Sequence, residues 1–280
     1  MNTLKKITLY LLIALFLVGC SQPASEEKSL LDTIKENGYI TVATSPDWPP
    51  YEFIDPSKTG DDQYVGADME LARYIAKELG VELKILASEF NTAVASVATK
   101  KADFIISDLG YKEERLEAMD FSKTYNPNST DENTYQGLLM DILDADEYTE
   151  LEHFNSLNIG VQMGSLQEAF VKEQIPQATL THIKDIGTGI LMLQNKKIDA
   201  IAITNTIGNA FAQANGGLKM SVARFEESIL AEYDGTVVGV QKGATELLEA
   251  INDIIDDVVA NKLYDQWEIE YTEYAKDIGA

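Results

Sequence analysis

One cysteine, two histidines, two tryptophans and three arginines in 280 residues already exclude several classes of protein. A single thiol leaves no internal disulfide and no thiolate zinc cluster. His153 and His182 offer little material for a histidine-based catalytic or metal centre. Basic residues number 22 against 46 acidic ones, a formal charge of −24. A surface this negative repels phosphate backbones, which excludes nucleic acid as a partner. There is no GxxxxGK(S/T) phosphate loop, so the chain carries no ATPase of its own, and no cofactor is expected. What remains is a globular composition, 45% apolar and 24% charged, in a chain of 30.9 kDa. That is enough for one large domain or two of ordinary size.

Lys5 and Lys6 precede an apolar run, Ile7 to Phe16, which is too short to anchor well as a spanning helix. The run ends at Leu17-Val18-Gly19-Cys20, which resembles the lipobox of bacterial lipoproteins. The resemblance implies a signal peptide over residues 1–19, lipid chains on Cys20, and a polar tether over residues 20–28. Acyl chains contribute about 0.8 kcal/mol per buried CH2, so several hold a soluble domain firmly at a membrane. Losing Lys5 and Lys6 would take the charge to −26. An ordinary secretory signal is the competing reading. The sole cysteine falling at the lipobox position argues against it.

Beyond residue 28, strands alternate with helices. The pattern predicts strands over Tyr39–Thr44, Val81–Leu86 and Asp103–Ile106, with helices over Ala67–Leu79 and Thr92–Ala98. Leu71, Ala72, Ile75, Ala76 and Leu79 form the helical stripe, and Gly80 closes it. A second series follows: strands Asn158–Gln162 and Ile198–Ile203, helices Leu166–Gln174 and Ile186–Gln194. The end of the chain adds a strand, Thr236–Gln241, and helices through Leu247–Val259. Such alternation predicts an α/β fold on largely parallel sheets. The polar stretch Asn126–Thr134 divides it into two lobes: residues 29–126, a second lobe over 127–231, and a return to the first over 232–280.

Ligands of open parallel sheets bind beyond the carboxyl ends of the strands. Four segments fall there. Ser45-Pro46-Asp47-Trp48-Pro49-Pro50 carries a rigid aromatic suited to stacking on a ligand. Ser107-Asp108-Leu109-Gly110 is followed by Arg115, one of three arginines among nineteen lysines, which suggests that a bidentate fork is needed there. An ion pair with Glu113 or Glu117 is the plainer alternative. Gln162-Met163-Gly164-Ser165 leads into a helix whose first amides can receive an anion. Thr204-Asn205-Thr206 brings three neutral polar groups to a cleft edge.

These segments, with Pro49-Pro50-Tyr51-Glu52-Phe53, Tyr64-Val65-Gly66-Ala67-Asp68-Met69-Glu70-Leu71-Ala72, Lys101-Ala102-Asp103-Phe104-Ile105-Ile106-Ser107, Glu113-Glu114-Arg115, Asp120-Phe121-Ser122, Ile159-Gly160-Val161-Gln162 and Tyr264-Asp265-Gln266-Trp267, resemble the extracytoplasmic solute-binding proteins of ABC importers for polar amino acids. The resemblance spans nearly the whole chain after residue 28. It implies a type II periplasmic-binding-protein-like fold, two α/β lobes joined by two crossover strands and closing over a small ligand. It also implies a monomer that is not an enzyme, held at the cell membrane outside the cytoplasm and serving a permease and its ATPase.

Matched position by position, Trp48 and Phe90 would wall the ligand side chain, and Arg115 would hold its α-carboxylate. Gly164, Ser165 and the neighbouring amides would help from the second lobe, and Ser107 would also contact the ligand. Three positions depart from the family pattern. Thr204 stands where an aspartate usually pairs with the α-ammonium, Gly110 replaces a serine or threonine, and Lys112 replaces a threonine. Asp108 occupies a position usually held by a small residue. Either Asp108 supplies the missing carboxylate, which is slightly preferred, or the ligand lacks a standard α-ammonium. Ser45, where basic amino acid binders often carry aspartate, points away from a lysine- or arginine-type side chain. Two other functions fit the same fold: a ligand sensor or adhesin, and an enzyme resembling cyclohexadienyl dehydratase with Asp108 as general acid.

Overall fold

The computed structural model describes residues 28–126, 134–226 and 235–279. Cys20, the signal peptide, all of the tether except Lys28, and both expected lobe boundaries lie outside these residues. The first sheet has the order β4-β1-β5-β12-β6, built from β1 (Tyr39–Thr44), β4 (Glu82–Ala87), β5 (Phe104–Ile105), β6 (Met119–Asn126) and β12 (Thr236–Gln241). The second has the order β11-β7-β10-β8-β9, built from β7 (Gln136–Asp141), β8 (Asn158–Gln162), β9 (Thr179–Ile183), β10 (Ala200–Thr204) and β11 (Leu218–Arg224). A short hairpin, β2 (Phe53–Ile54) and β3 (Tyr64–Val65), stands apart.

Each sheet is parallel across three strands, then takes one reversed strand before the last strand resumes the first direction. In the first, β1 runs parallel to β4 and β5, while β12 is antiparallel to both β5 and β6. In the second, β8 runs parallel to β9 and β10, while β7 is antiparallel to both β10 and β11. The reversal has a simple origin. A helical crossover makes β10 and β11 parallel, and β7 slots between them from the other direction.

Alternation along the strands sends side chains to two helical layers. Leu138 and Met140 of β7 face α4 (Leu166–Gln174) through Phe170 and Val171. Leu139, Ile201 and Ile203 face α5 (Ile186–Gln194) and α6 (Asn205–Asn215) through Ile186, Ile190 and Ile207. In the first lobe, Ile40, Val42, Phe104 and Val240 pack under α2 (Ala67–Leu79) and α7 (Thr245–Ala260). Ala43 and Ile105 meet α3 (Phe90–Ala98) on the opposite face. The flanking α1 (Leu30–Asn37) and α8 (Leu263–Ile278) complete eight α-helices among the described residues.

Helices α2, α4 and α5 and strands β1, β8 and β12 keep the limits expected from their patterns. The others shift by one or two residues: α3 starts at Phe90, β5 shrinks to two residues, and β10 runs through Thr204. Gly66, at φ +127°, opens α2; a Cβ there would overlap the Tyr51 carbonyl. That close approach seats the Asp68 amide on the Tyr51 oxygen at 2.9 Å, which carries Asp68 into the floor of the cleft.

Candidate ligand-binding cleft

The carboxyl ends of β1, β5, β8 and β10 converge where the lobes meet, and hydrogen bonds cross between them. The floor is acidic. The Ser45 amide donates to Ser107 Oγ at 3.0 Å, and that hydroxyl donates to Glu52 Oε1 at 3.0 Å. Asp108 adopts the left-handed conformation at φ 40°, and its amide donates to Asp68 Oδ2 at 2.7 Å. Asp68 also accepts the hydroxyls of Tyr125 at 2.9 Å and Tyr264 at 2.6 Å.

Three carboxyls packed this closely cannot all be charged. Burial, reinforced by the charges of Asp68 and Asp108, pushes Glu52 well above the usual range. Glu52 Oε2 is buried and has no hydrogen-bond partner among the described residues. A carboxyl driven toward its neutral form is the less costly state for an oxygen buried without a partner. Burial also raises Asp68, and its bonds from Tyr264, the Asp108 amide, Tyr125 and Glu52 work against the rise. Asp108 is raised to about 7, chiefly by burial and then by the charge of Asp68, with the Trp48 bond opposing.

Trp48 donates from Nε1 to Asp108 Oδ2 at 2.9 Å. Its ring, although carried by the first lobe, packs into the second lobe's apolar cluster with Leu139, Ile183, Ile186 and Ile190. It therefore lies across the lobe boundary, 7% exposed. Phe90 begins α3, and its ring centroid lies 5.5 Å from the Arg115 guanidinium. Arg115 follows Lys112 in a one-turn 3-10 helix over Glu113–Glu117 and is itself only 7% exposed. It donates to Gly110 O at 2.7 Å and, across the lobes, to Gly164 O at 2.8 Å.

Both acceptors are neutral carbonyls. Among the described residues no carboxylate pairs with this guanidinium, so the simple ion pair with Glu113 or Glu117 does not form, and Glu114 turns toward Lys112 at 3.8 Å. Burial lowers the guanidinium to about 10, which leaves it charged at neutral pH.

In the second lobe, Gly164 takes φ +78° and its amide donates to Glu168 Oε2 at 2.6 Å. Ser165 caps α4 by accepting from the Glu168 amide at 3.1 Å. Burial works to raise Glu168, but bonds from Lys172, His182 and Gly164 outweigh it and hold the carboxyl at about 2. The Gly164 turn is thereby fixed against Arg115. Thr204 Oγ1 accepts from Gln136 at 2.9 Å, and Gln136 accepts in turn from Gln167 at 2.9 Å. Gly110 lies beneath the Leu166 side chain, which occupies the space where a Cβ would project.

Residues that the sequence did not single out complete the site. Glu52 and Asp68 brace the floor, although both lie in segments whose order already pointed to the family. Asp47 joins the lobes, accepting from Gln162 Nε2 and from the Ile186 amide, each at 2.8 Å. Beside it a cavity of about 480 Å³ opens between the lobes, lined among others by Ser45, Asp47 and Glu89 on one side and Lys184, Asp185 and Phe211 on the other.

Raised carboxyls make stability depend on pH with a definite sign. A folded-state value above the unfolded one contributes stability below the ordinary carboxylate range, and that contribution is lost as pH rises through the raised value. Glu52→Gln removes this loss. Its melting temperature should rise relative to wild type as the pH is taken from about 5 to about 9. A constant difference across that range would contradict a protonated Glu52.

A family model described as bacterial extracellular solute-binding proteins, family 3, matches residues 40–273. The chain is 28% identical over 265 residues to the probable histidine-binding protein of Campylobacter jejuni, covering 94% of this chain and 96% of that protein. Among solved structures, an amino acid ABC transporter substrate-binding protein of Streptococcus pneumoniae bound to L-arginine superposes with a TM-score of 0.77 at 31% identity, over 88% of this chain and 98% of that one. An ancestral amino acid-binding protein, a precursor of cyclohexadienyl dehydratase, superposes with a TM-score of 0.69 at 25% identity, over 86% and 99%. These neighbours share the two-lobed type II architecture.

Proposed function

Since the chain belongs to the bacterial extracellular solute-binding proteins, family 3, we propose that it is the lipid-anchored substrate-binding component of an ABC importer. It captures an amino acid or related small carboxylate between its lobes and delivers it to a membrane permease. The observation that carries this reading is Arg115. A guanidinium at the lobe junction, bonded among the described residues to two neutral carbonyls, has charge to spare for an incoming carboxylate. The capped amino end of α4 lies beside it and favours the same charge. Phe90 supplies one apolar wall, and Trp48 closes the other side.

The cation partner on our reading is Asp108. Trp48 engages one of its two carboxylate oxygens, and its value near 7 reflects burial without a neighbouring cation. An ammonium brought to the other oxygen would favour the charged form. Thr204, already bonded to Gln136, has no charge to offer. The cavity beside Asp47 is lined by Lys184 as well as by Asp47, Glu89 and Asp185, and by none of Trp48, Phe90, Asp108 and Arg115, so it adds nothing to the choice of ligand. The relatives named for histidine and arginine put those two amino acids first in a screen.

Attachment on this reading runs through Cys20; among the described residues no helix is long and apolar enough to cross a membrane. Asp108 also favours a second reading, an enzyme in which it acts as general acid, since its value near 7 suits proton transfer at neutral pH. Conversion of an amino acid or carboxylate to a new product, in place of reversible binding, would establish that alternative.

The screen is a thermal-shift series over the twenty amino acids, common derivatives and amine-free carboxylates. A ligand at a thousandfold excess over Kd stabilises by about 4 kcal/mol, which for a chain of this size raises the melting temperature by about 8–16 °C. Arg115→Ala should weaken binding by more than a hundredfold, because losing one side of a buried charge pair costs about 3–5 kcal/mol. Affinity within threefold of wild type would remove Arg115 from the site. If Asp108 receives the ammonium, binding at pH 7 should release about half a proton. Calorimetry in buffers of differing ionisation enthalpy measures that release, which should fade above about pH 8 and vanish in Asp108→Asn. Strong binding of amine-free acids with no proton release would assign the cleft to a different ligand class.

A further inference from the structure

We propose that Asp47 is the latch that holds the two lobes shut, a positioning residue that sets ligand affinity through closure. The inference rests on the reading that ligand binding closes the cleft. Asp47 belongs to the loop after β1, yet its Oδ2 takes both of its cross-lobe hydrogen bonds from the second lobe. One comes from the Gln162 side chain at the end of β8, the other from the backbone of Ile186, the first residue of α5.

The first amides of a helix have no partner within the helix. The side chain of Asp185, the N-cap of α5, accepts from the Thr188 amide at 2.6 Å. Asp47 therefore supplies the Ile186 amide with an acceptor from the opposite lobe, and its charge faces the positive end of the α5 dipole. Its other oxygen, Oδ1, is held by Ser45 Oγ at 3.0 Å, which turns Oδ2 toward the second lobe.

The next residue contributes the apolar half of the clasp. Trp48 inserts among Ile183, Ile186 and Ile190, so Ile186 is gripped by its backbone and by its side chain from two consecutive residues of the first lobe. Every one of these contacts joins groups on different lobes. Separating the lobes breaks them together, so their free energy counts only in the closed state and appears as tighter ligand retention.

Trp48 also provides the readout. It is one of two tryptophans, and Trp267→Phe leaves it as sole reporter, moving from an apolar cluster to water when the lobes part. In that background, stopped-flow fluorescence with L-arginine and L-histidine as probes should show Asp47→Ala releasing a bound amino acid at least tenfold faster, with association changed less than threefold. The melting temperature of the free protein should stay close to wild type. Asp47→Asn keeps an uncharged acceptor and should restore part of the retention. Release within threefold of wild type in Asp47→Ala, or a loss of retention matched by a loss of folding stability that Asp47→Asn does not relieve, would overturn the latch. If wild type binds neither probe nor any other amino acid, the transport reading fails and small-angle scattering of the free chain decides the latch. A more extended Asp47→Ala supports it, and superimposable profiles contradict it.

Discussion

A guanidinium shut between two lobes, with two carbonyls for company, is the constraint around which this molecule is arranged. Among the described residues no carboxylate forms an ion pair with Arg115, and the nearby charge of Glu114 offsets its desolvation only in part. The rest of the cleft is organised to hold it in that condition. Glu168 pins the Gly164 turn against it, Phe90 covers its face, and Leu166 fills the space above Gly110. Such an arrangement is poor engineering for stability and well suited to receiving an anion.

The acidic floor is the counterpart. Glu52, Asp68 and Asp108 lie together beneath Trp48, and two tyrosine hydroxyls and the Asp108 amide are all directed at Asp68. Burial drives Glu52 toward its neutral form, which eases the repulsion on Asp68 as it braces the Ser107-Asp108 turn. A cation-seeking group and an anion-seeking group thus both stand at the junction of the lobes. This polarity is what a zwitterion requires, and it is also what makes the floor sensitive to pH.

Much of the fold is legible in the sequence because the lobes are built from strong periodic signals. The stripe from Leu71 to Leu79 fixes α2, and the apolar runs Asn158–Gln162 and Thr236–Gln241 fix two core strands. The polar edge strand Thr179–Ile183 gave no such signal, since most of its residues face solvent or the sheet's rim. The end of the chain was also missed: α8 buries only Tyr264 and Ala275 fully and reads as acidic and aromatic without a clear stripe. Arg115, Gly164 and Ser165 could be found because strand ends and helix starts are local features. Asp47 could not, because its partners are a side chain and a backbone amide more than a hundred residues away. Trp48 was visible as an aromatic at a strand end, while its packing against the opposite lobe depends on tertiary geometry alone.

The most direct test of the account is a crystal structure of the chain with whichever amino acid gives the largest thermal shift. The account expects the ligand carboxylate within about 3 Å of the Arg115 guanidinium nitrogens, with the contact to Gly164 O displaced and the ammonium facing Asp108. A ligand bound elsewhere, with Arg115 still resting on the Gly110 and Gly164 carbonyls, would contradict it.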